Sequence, residues 1–169
     1  MGIRININFV EKRWLEIDFR AMARKAFEAG IEPFLSTDFI KNMEISILAC
    51  NDQFIRRLNN KFRGINSTTD VLSWPRMHQL YFQSNLILSD DKYANNVCEL
   101  GDIAISYDTC LKQSEDLGLK LENHVIHLLI HASLHLMGFN HQKDSDFQRM
   151  KDLEIKCLEA CGIENPYSL

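Results

Sequence analysis

The sequence lacks long apolar runs, and no stretch of its 169 residues approaches the roughly 18–20 apolar residues that a membrane-spanning helix needs. Its first residues lack the apolar block and the small-residue cleavage site of a signal peptide, and they do not resemble a transit peptide. Internal repeats, low-complexity tracts and linkers are absent as well. We therefore expect a cytoplasmic protein with no membrane partner, folded as one domain over residues 1–169.

Cysteine pairs of the CxxC type are also absent. The five cysteines are an odd number and are scattered along the chain: Cys50, Cys98, Cys110, Cys157 and Cys161. The last two, four residues apart, would share one face of a helix, but two thiols alone make a poor zinc site. The pattern favours reduced cysteines that act as small apolar residues in a reducing compartment.

Positive charge is scarce. The chain has 19 basic and 23 acidic side chains, a net charge of −4, which argues against indiscriminate binding of nucleic acids. Residues 51–75 are locally basic, because they contain two acidic and four basic side chains. The basic residues are Arg56, Arg57, Lys61 and Arg63. The hydrophobic content of 46% is ordinary for a globular protein and excludes general disorder.

The order of the sequence patterns predicts an α/β protein of the α+β type, with a small mixed four-stranded sheet packed with about five helices. Strand patterns cover residues 3–9, 44–49, 71–74 and 103–106, and helical patterns cover 16–29, 51–62, 107–117, 121–137 and 144–161. Pro75 stops the third strand and predicts that it lies at an edge or ends there. Residues 76–99 are polar, with one short strand pattern at 85–88, and predict a mobile surface loop.

Five of the six histidines fall within residues 124–141. At about 100° per residue, four of them occupy an arc of about 80° on the predicted helix 121–137. These four are His124, His127, His131 and His135. Burying four imidazoles together is costly unless something partners them. We therefore expect a metal site on this central, histidine-rich helix.

His131 and His135, four residues apart, can offer ring nitrogens to one metal ion from consecutive turns. Gly138 lets the chain leave the helix, so that His141 can return as a third ligand in the spacing H-x3-H-x2-G-x2-H. Three neutral imidazoles with one open position are typical of catalytic zinc, so we expect one Zn²⁺ per chain. His127 and His131 form a competing pair. Because the glycine and His141 suit only the 131/135 pairing, we do not expect His127 to bind the metal. We expect it either to contact the metal ligands or to pack in the protein interior.

The same spacing occurs in metzincin peptidases, where a glutamate directly after the first histidine is the general base. That position is Ala132 here, and alanine cannot accept a proton. A metallopeptidase-like zinc hydrolase is therefore an alternative function, and it would need a carboxylate base from elsewhere in the chain.

Residues 131–141 resemble the hallmark of the YbeY family, H-G-x-L-H-L-x-G-[YF]-D-H, with Ala132 in place of glycine and Asn140 in place of aspartate. Residues 58–75 resemble the family's L-N-x-x-[YF]-R-x…P-T-D-V-L-S-F-P segment, with Thr68 where the family usually has proline and Trp74 where it usually has phenylalanine. Residues 100–106 resemble its L-G-D-I-x-I-[SC] strand. Three motifs in the family's order make a chance match improbable.

The resemblance implies a metal-dependent, single-strand-specific endoribonuclease. Its role would be the maturation of rRNA, particularly at the small-subunit 3′ end, and ribosome quality control, with single-stranded RNA and ribosomal particles as partners. A non-catalytic ribosome-assembly factor with a structural metal is a second alternative. The sequence also leaves the nucleophile open between metal-activated water and the RNA 2′-hydroxyl.

The family's arginine falls on Arg63, where a guanidinium near a metal suits a phosphodiester because it can pair two phosphate oxygens. The three preceding basic residues, Arg56, Arg57 and Lys61, could extend this surface along an RNA backbone, although a solvated helix face is the favoured interpretation.

Asp70 and Ser73 lie in the same motif as Arg63. They could orient groups around a cleft or simply terminate turns, and the sequence favours neither interpretation.

Overall fold

A four-stranded sheet carries the helices of this protein in the computed structural model, which describes residues 2–35, 40–76, 97–139 and 144–168. The described part contains these strands and α-helices in chain order: β1 (Arg4–Phe9), α1 (Phe19–Gly30), β2 (Met43–Cys50), α2 (Asp52–Arg63), β3 (Val71–Pro75), β4 (Cys98–Ser106), α3 (Tyr107–Asp116), α4 (Leu121–Leu136) and α5 (Asp144–Ala160). Short 3-10 segments cover Lys12–Glu16, Glu32–Phe34 and Pro166–Ser168.

The sheet is mixed, with strand order β1-β2-β4-β3. β2 pairs parallel with both β1 and β4, whereas β3 pairs antiparallel with β4 in a register that joins Val71 to Ile105 and Trp74 to Asp102. β3 therefore forms one edge of the sheet. The predicted fold class, a mixed four-stranded sheet with about five helices, is confirmed.

The histidine-rich helix α4 packs against α1, against the edge strand β3 and against α3 and α5. Its apolar side chains, such as Leu129 and Leu134, are fully buried. Close approach to α1 depends on a glycine, because a Cβ atom on Gly30 would lie 2.4 Å from the Ser133 hydroxyl oxygen. The helix is thus fixed over the sheet, with its histidine face turned towards β3.

Two element bounds differ from the sequence prediction by more than one residue. β4 begins at Cys98 rather than at residue 103, so it includes Gly101, and its pairing with β2 shifts register between Glu44 and Ile45. A glycine and two acidic residues hid this part of the strand from a pattern of apolar residues. The predicted helix 16–29 begins only at Phe19, after a separate 3-10 segment.

The predicted loop 76–99 lies mainly outside the described residues, as does its short strand pattern at 85–88. Its last two residues belong to β4. The single-domain interpretation stays a prediction. In the described residues, no helix combines the length and the apolar character needed to cross a membrane. All five cysteines are free thiols and are buried.

Candidate metal centre and its cleft

An open cleft of about 780 Å³ lies between the edge strand β3 and helix α4. It is lined by β3, by the last two residues of α2, by the histidine face of α4, and by Phe139 and Tyr167. His127, His131 and His135 all reach this cleft. It therefore gathers predicted site residues from three elements that are far apart in the sequence.

His131 and His135 form a close pair whose hydrogen bonds fix their tautomers. His135 Nδ1 donates to the carbonyl oxygen of Phe139 at 2.9 Å, and His131 Nδ1 donates to Glu154 Oε1 at 2.5 Å. Because both acceptors are oxygens without a proton, both protons sit on Nδ1, as inferred from the hydrogen-bond network. When both rings are neutral, each Nε2 therefore carries a lone pair.

The two Nε2 atoms of His131 and His135 lie 3.0 Å apart. Two imidazole nitrogens at this distance can share a proton in a hydrogen bond, or they can share a cation. Zinc binds imidazole nitrogen at about 2.0–2.1 Å, so one ion can contact both atoms. The donor chemistry of this pair therefore fits a transition metal such as zinc.

The third predicted ligand, His141, lies outside the described residues, as does Asn140. Gly138, which the sequence places at the turn after α4, has a positive φ of 89° and turns the chain out of the helix. Within the described residues, no group of three or more histidine, cysteine or acidic side chains is arranged to hold a metal. The complete ligand set stays a prediction.

Glu154, on α5, is the buried partner of the histidine pair and was missed by the sequence analysis. Its side chain is 2% exposed, and it accepts hydrogen bonds from His131, from His127 Nε2 at 3.1 Å, and from the Tyr167 hydroxyl. Burial alone would raise the pKa of Glu154, but the donated hydrogen bonds outweigh it and hold the pKa well below its usual value. The result is an ionised carboxylate that orients His131.

A signal for Glu154 is present in the sequence. It occupies an inward position of the apolar stripe formed on α5 by Met150, Cys157 and Leu158 and continued just after the helix by Cys161, all of which are buried. A carboxylate in such a stripe must be partnered or neutral. Periodicity can therefore mark the residue as unusual, but it does not identify the histidine partner.

His127 uses its Nε2 atom to donate to Glu154, whereas His131 directs its Nε2 towards His135. The described contacts thus favour the 131/135 pair over the competing 127/131 pair. His124 lies deeper and donates from Nε2 to Gln113 Oε1 at 2.8 Å. Burial and the neighbouring His127 lower the pKa of His124, which keeps the ring neutral.

Arg63 ends helix α2 and is exposed at the rim of the cleft. The helix starts with the Asn51 side chain as N-cap, accepting from the Phe54 backbone N–H at 3.0 Å. It stops at Gly64, whose left-handed conformation (φ 69°) satisfies the last carbonyl groups. This stop places the guanidinium group on the same cleft as the histidines.

The other basic residues of α2 are exposed and do not line the cleft. Arg56 Nε donates to Asn66 Oδ1 at 2.9 Å, and the Arg57 guanidinium lies 5.9 Å from the centre of the Phe54 ring. Lys61 Nζ lies 5.2 Å from the centre of the Phe62 ring. These contacts agree with a solvated helix face.

Asp70 and Ser73 both line the cleft on the side of β3. The Asp70 carboxylate accepts from the backbone N–H of Val71 at 2.7 Å and from the Gln113 amide at 3.2 Å. Its described contacts therefore hold the start of β3 against α3, and its role at the cleft stays a prediction. Ser73 is half-buried at the cleft wall.

The chain is similar in sequence to proteins of a known family. Residues 7–162 match the sequence profile of the Endoribonuclease YbeY family. A protein of that name from Dinoroseobacter shibae is 36% identical over 165 residues, which cover 96% of this chain and 90% of that protein. Another from Paracoccus denitrificans is 38% identical over 163 residues, covering 96% and 89%.

The fold has a counterpart among solved structures. The solution structure of TM1509 from Thermotoga maritima matches with a TM-score of 0.52 and 21% sequence identity, covering 95% of this chain and 91% of that one. At this identity the likeness supports the fold alone.

Proposed function

The chain belongs to the Endoribonuclease YbeY family, and from that membership we propose that it cleaves single-stranded RNA by metal-dependent phosphodiester hydrolysis in the cleft between β3 and α4. The observation that carries the proposal is the pair of Nε2 atoms of His131 and His135, which lie 3.0 Å apart on the cleft wall. One metal ion can contact both atoms.

We propose that His131 and His135 hold Zn²⁺, with His141 as the third ligand. When bound, the ion supplies activation of water near neutral pH and polarisation of a phosphoryl oxygen. Glu154 keeps the His131 proton on Nδ1, so that Nε2 stays available as a donor to the metal. Its negative charge, buried behind the imidazole, also complements the charge of a cation bound there.

Arg63 is the residue proposed to bind the scissile phosphate. Its exposed guanidinium group shares the cleft with the histidine pair, and it can pair two phosphate oxygens while negative charge develops in the transition state. The position that supplies a base in metzincins is occupied here by Ala132, which is fully buried and has no proton acceptor. This observation disfavours the metallopeptidase alternative.

In the cell, the proposed role is the maturation of rRNA, particularly at the small-subunit 3′ end, and ribosome quality control. Ribosomal particles would then be partners, and the cytoplasm would be the site of action. The support for this role is the family resemblance of the three sequence motifs.

The test is cleavage of end-labelled single-stranded RNA by wild-type protein and by His135→Ala, purified side by side. We expect wild-type cleavage that is lost with a chelator, restored by Zn²⁺, and reduced at least about 100-fold in the variant, because the metal supplies most of the charge stabilisation. His124→Gln is the matched control, since His124 is a histidine of the same helix outside the cleft.

Equal cleavage by wild type and His135→Ala would show a contaminating nuclease or another active site. Absence of cleavage by both, with a sharp loss of thermal stability on chelation, would instead support the non-catalytic assembly factor, because the binding free energy of a structural metal is folding free energy.

A further inference from the structure

Two aromatic side chains meet at the same cleft. Phe62 and Trp74 both line it, with ring centres 5.4 Å apart and ring planes at 63°. Phe62 is 56% exposed, whereas Trp74 is partly buried. Trp74 is supported from behind by a small buried cluster that consists of Cys50, Ile55, Leu72 and Ala104. One ring is therefore held firmly and the other is open to solvent.

The exposure of Phe62 is not what the pattern of α2 predicts. Ile55, Leu58 and Phe62 follow the spacing of an apolar stripe, in which Ile55 is fully buried and Leu58 is partly buried. Phe62 continues the stripe beyond the end of the core and reaches the cleft instead. Packing of the described residues thus leaves a large apolar ring uncovered beside polar site residues.

The neighbours of this ring suit a nucleotide. Arg63 follows Phe62 directly and shares the cleft with His131 and His135. Lys61 lies outside the cleft lining, with its Nζ 5.2 Å from the Phe62 ring centre. Cations for phosphate and an uncovered ring for a base are the two elements by which proteins bind single-stranded nucleic acids.

We infer that Phe62 and Trp74 form a base-stacking subsite that takes one unpaired nucleobase of an RNA strand whose phosphate lies at Arg63. This inference rests on the proposed function and deepens it. Bases inside a duplex are covered on both faces by their neighbours, whereas an unpaired base can be splayed out onto an aromatic side chain. The subsite therefore gives a physical reason for preferring single strands over duplexes.

The test compares variants that remove the ring with variants that keep it. Phe62→Leu and Trp74→Leu retain apolar volume without an aromatic face, while Phe62→Tyr and Trp74→Phe retain the face. With a short unstructured RNA, we expect the leucine variants to raise KM by about 5- to 100-fold and to leave kcat within about twofold. The aromatic variants should stay close to wild type.

Phe147→Leu is the matched control, because Phe147 is an exposed phenylalanine outside the cleft lining. Circular dichroism and urea unfolding check that each variant is folded. If Trp74→Leu does not fold, the exposed Phe62 carries the test alone.

A substrate variant separates stacking from a general packing effect. A single abasic site is moved along the cleaved region of the RNA. At one position, we expect the abasic RNA to raise the KM of wild type by the same factor as Phe62→Leu raises the KM for intact RNA, and at that position Phe62→Leu should raise KM no further, because the ring and the base are partners. If the effects of the abasic site and of Phe62→Leu on KM multiply at every position, the inference is overturned.

The outcomes also separate this inference from the proposed function. If wild type cleaves RNA and the leucine variants have an unchanged KM, the proposed endoribonuclease activity is supported and the stacking subsite is contradicted. If wild type does not cleave, fluorescence anisotropy with the same RNA in chelator decides the inference, which requires weaker binding by Phe62→Leu. Equal binding, or no binding by wild type, would overturn it.

Discussion

At the scale of single side chains, Glu154 combines burial with ionisation, because three donors converge on its two oxygens. Acidic side chains are seldom buried unless they are paired, since desolvation disfavours the charged form. Here the hydrogen bonds offset that cost and simultaneously set the tautomer of His131. A change in this carboxylate on α5 should therefore alter the affinity of α4 for a metal ion.

Replacing Glu154 with glutamine is expected to weaken Zn²⁺ binding about 10- to 100-fold. The amide keeps the size of the side chain, but it loses the charge and one of the two accepting atoms, so it cannot serve His131 and His127 together. Titration of metal-free protein with Zn²⁺ against a competing chelator measures the effect. Glu159→Gln, at an exposed position of the same helix, should bind like wild type. Unchanged affinity in Glu154→Gln would contradict the orienting role.

At the scale of elements, the cleft exists because β3 lies close to both β4 and α4. Gly101 of β4 permits this approach, because a Cβ atom there would lie 2.3 Å from the Trp74 carbonyl oxygen and 2.7 Å from Leu136 Cδ2. The first of these neighbours is backbone and cannot turn away. Gly64 differs, since nothing lies within 4 Å of its Cβ position and only its left-handed φ of 69° favours glycine.

The two glycines therefore predict unequal effects. Gly64→Ala is expected to lower the free energy of unfolding by about 1 kcal/mol, from backbone strain alone. Gly101→Ala is expected to lower it by about 3 kcal/mol or more, because β3 must move away from β4 to relieve the contact. Urea unfolding of metal-free protein measures both values. A loss of similar size in the two variants would show that β3 is not held by the close approach at Gly101.

At the scale of the whole molecule, the charge of −4 opposes the proposed substrate. Affinity for RNA commonly depends on many basic residues that release counterions from the phosphates. Among the basic residues of α2, Arg63 lines the cleft and the other three do not. Short RNA should therefore bind weakly, and we expect partner molecules to contribute to the choice of the cleavage site.

Fluorescence anisotropy with short single-stranded RNA, in the presence of chelator, measures the binding constant from about 50 to about 200 mM salt. In a plot of the logarithm of the binding constant against the logarithm of the salt concentration, each neutralised phosphate contributes about −0.7 to the slope. Arg63→Met is expected to weaken binding and to reduce the magnitude of the slope by about 0.7. Arg24→Met, which removes an exposed arginine outside the cleft lining, should leave the slope unchanged. Tight binding that does not respond to salt would contradict this expectation.

Much of the local structure was predictable because it depends on neighbours in the chain. The limits of α2 follow from Asn51 and Gly64, a cap and a left-handed stop that act within one turn. The common face of His127, His131 and His135 follows from helical periodicity alone. Apolar patterning could not predict the start of β4, because Gly101 and its acidic neighbours belong to the strand through their pairing with β2 and β3, and the family motif extended the strand only to residue 100.

The sequence by itself therefore determined the elements, the histidine face and the family, since these depend on spacing and residue type along one segment. The tertiary structure decided which separate segments meet. Glu154 reaches His131 from 23 residues away, and Phe62 meets Trp74 only because α2 and β3 pack on one core cluster. Such contacts depend on how apolar surfaces of different elements fit together, and that fit is a property of the folded chain rather than of any local pattern.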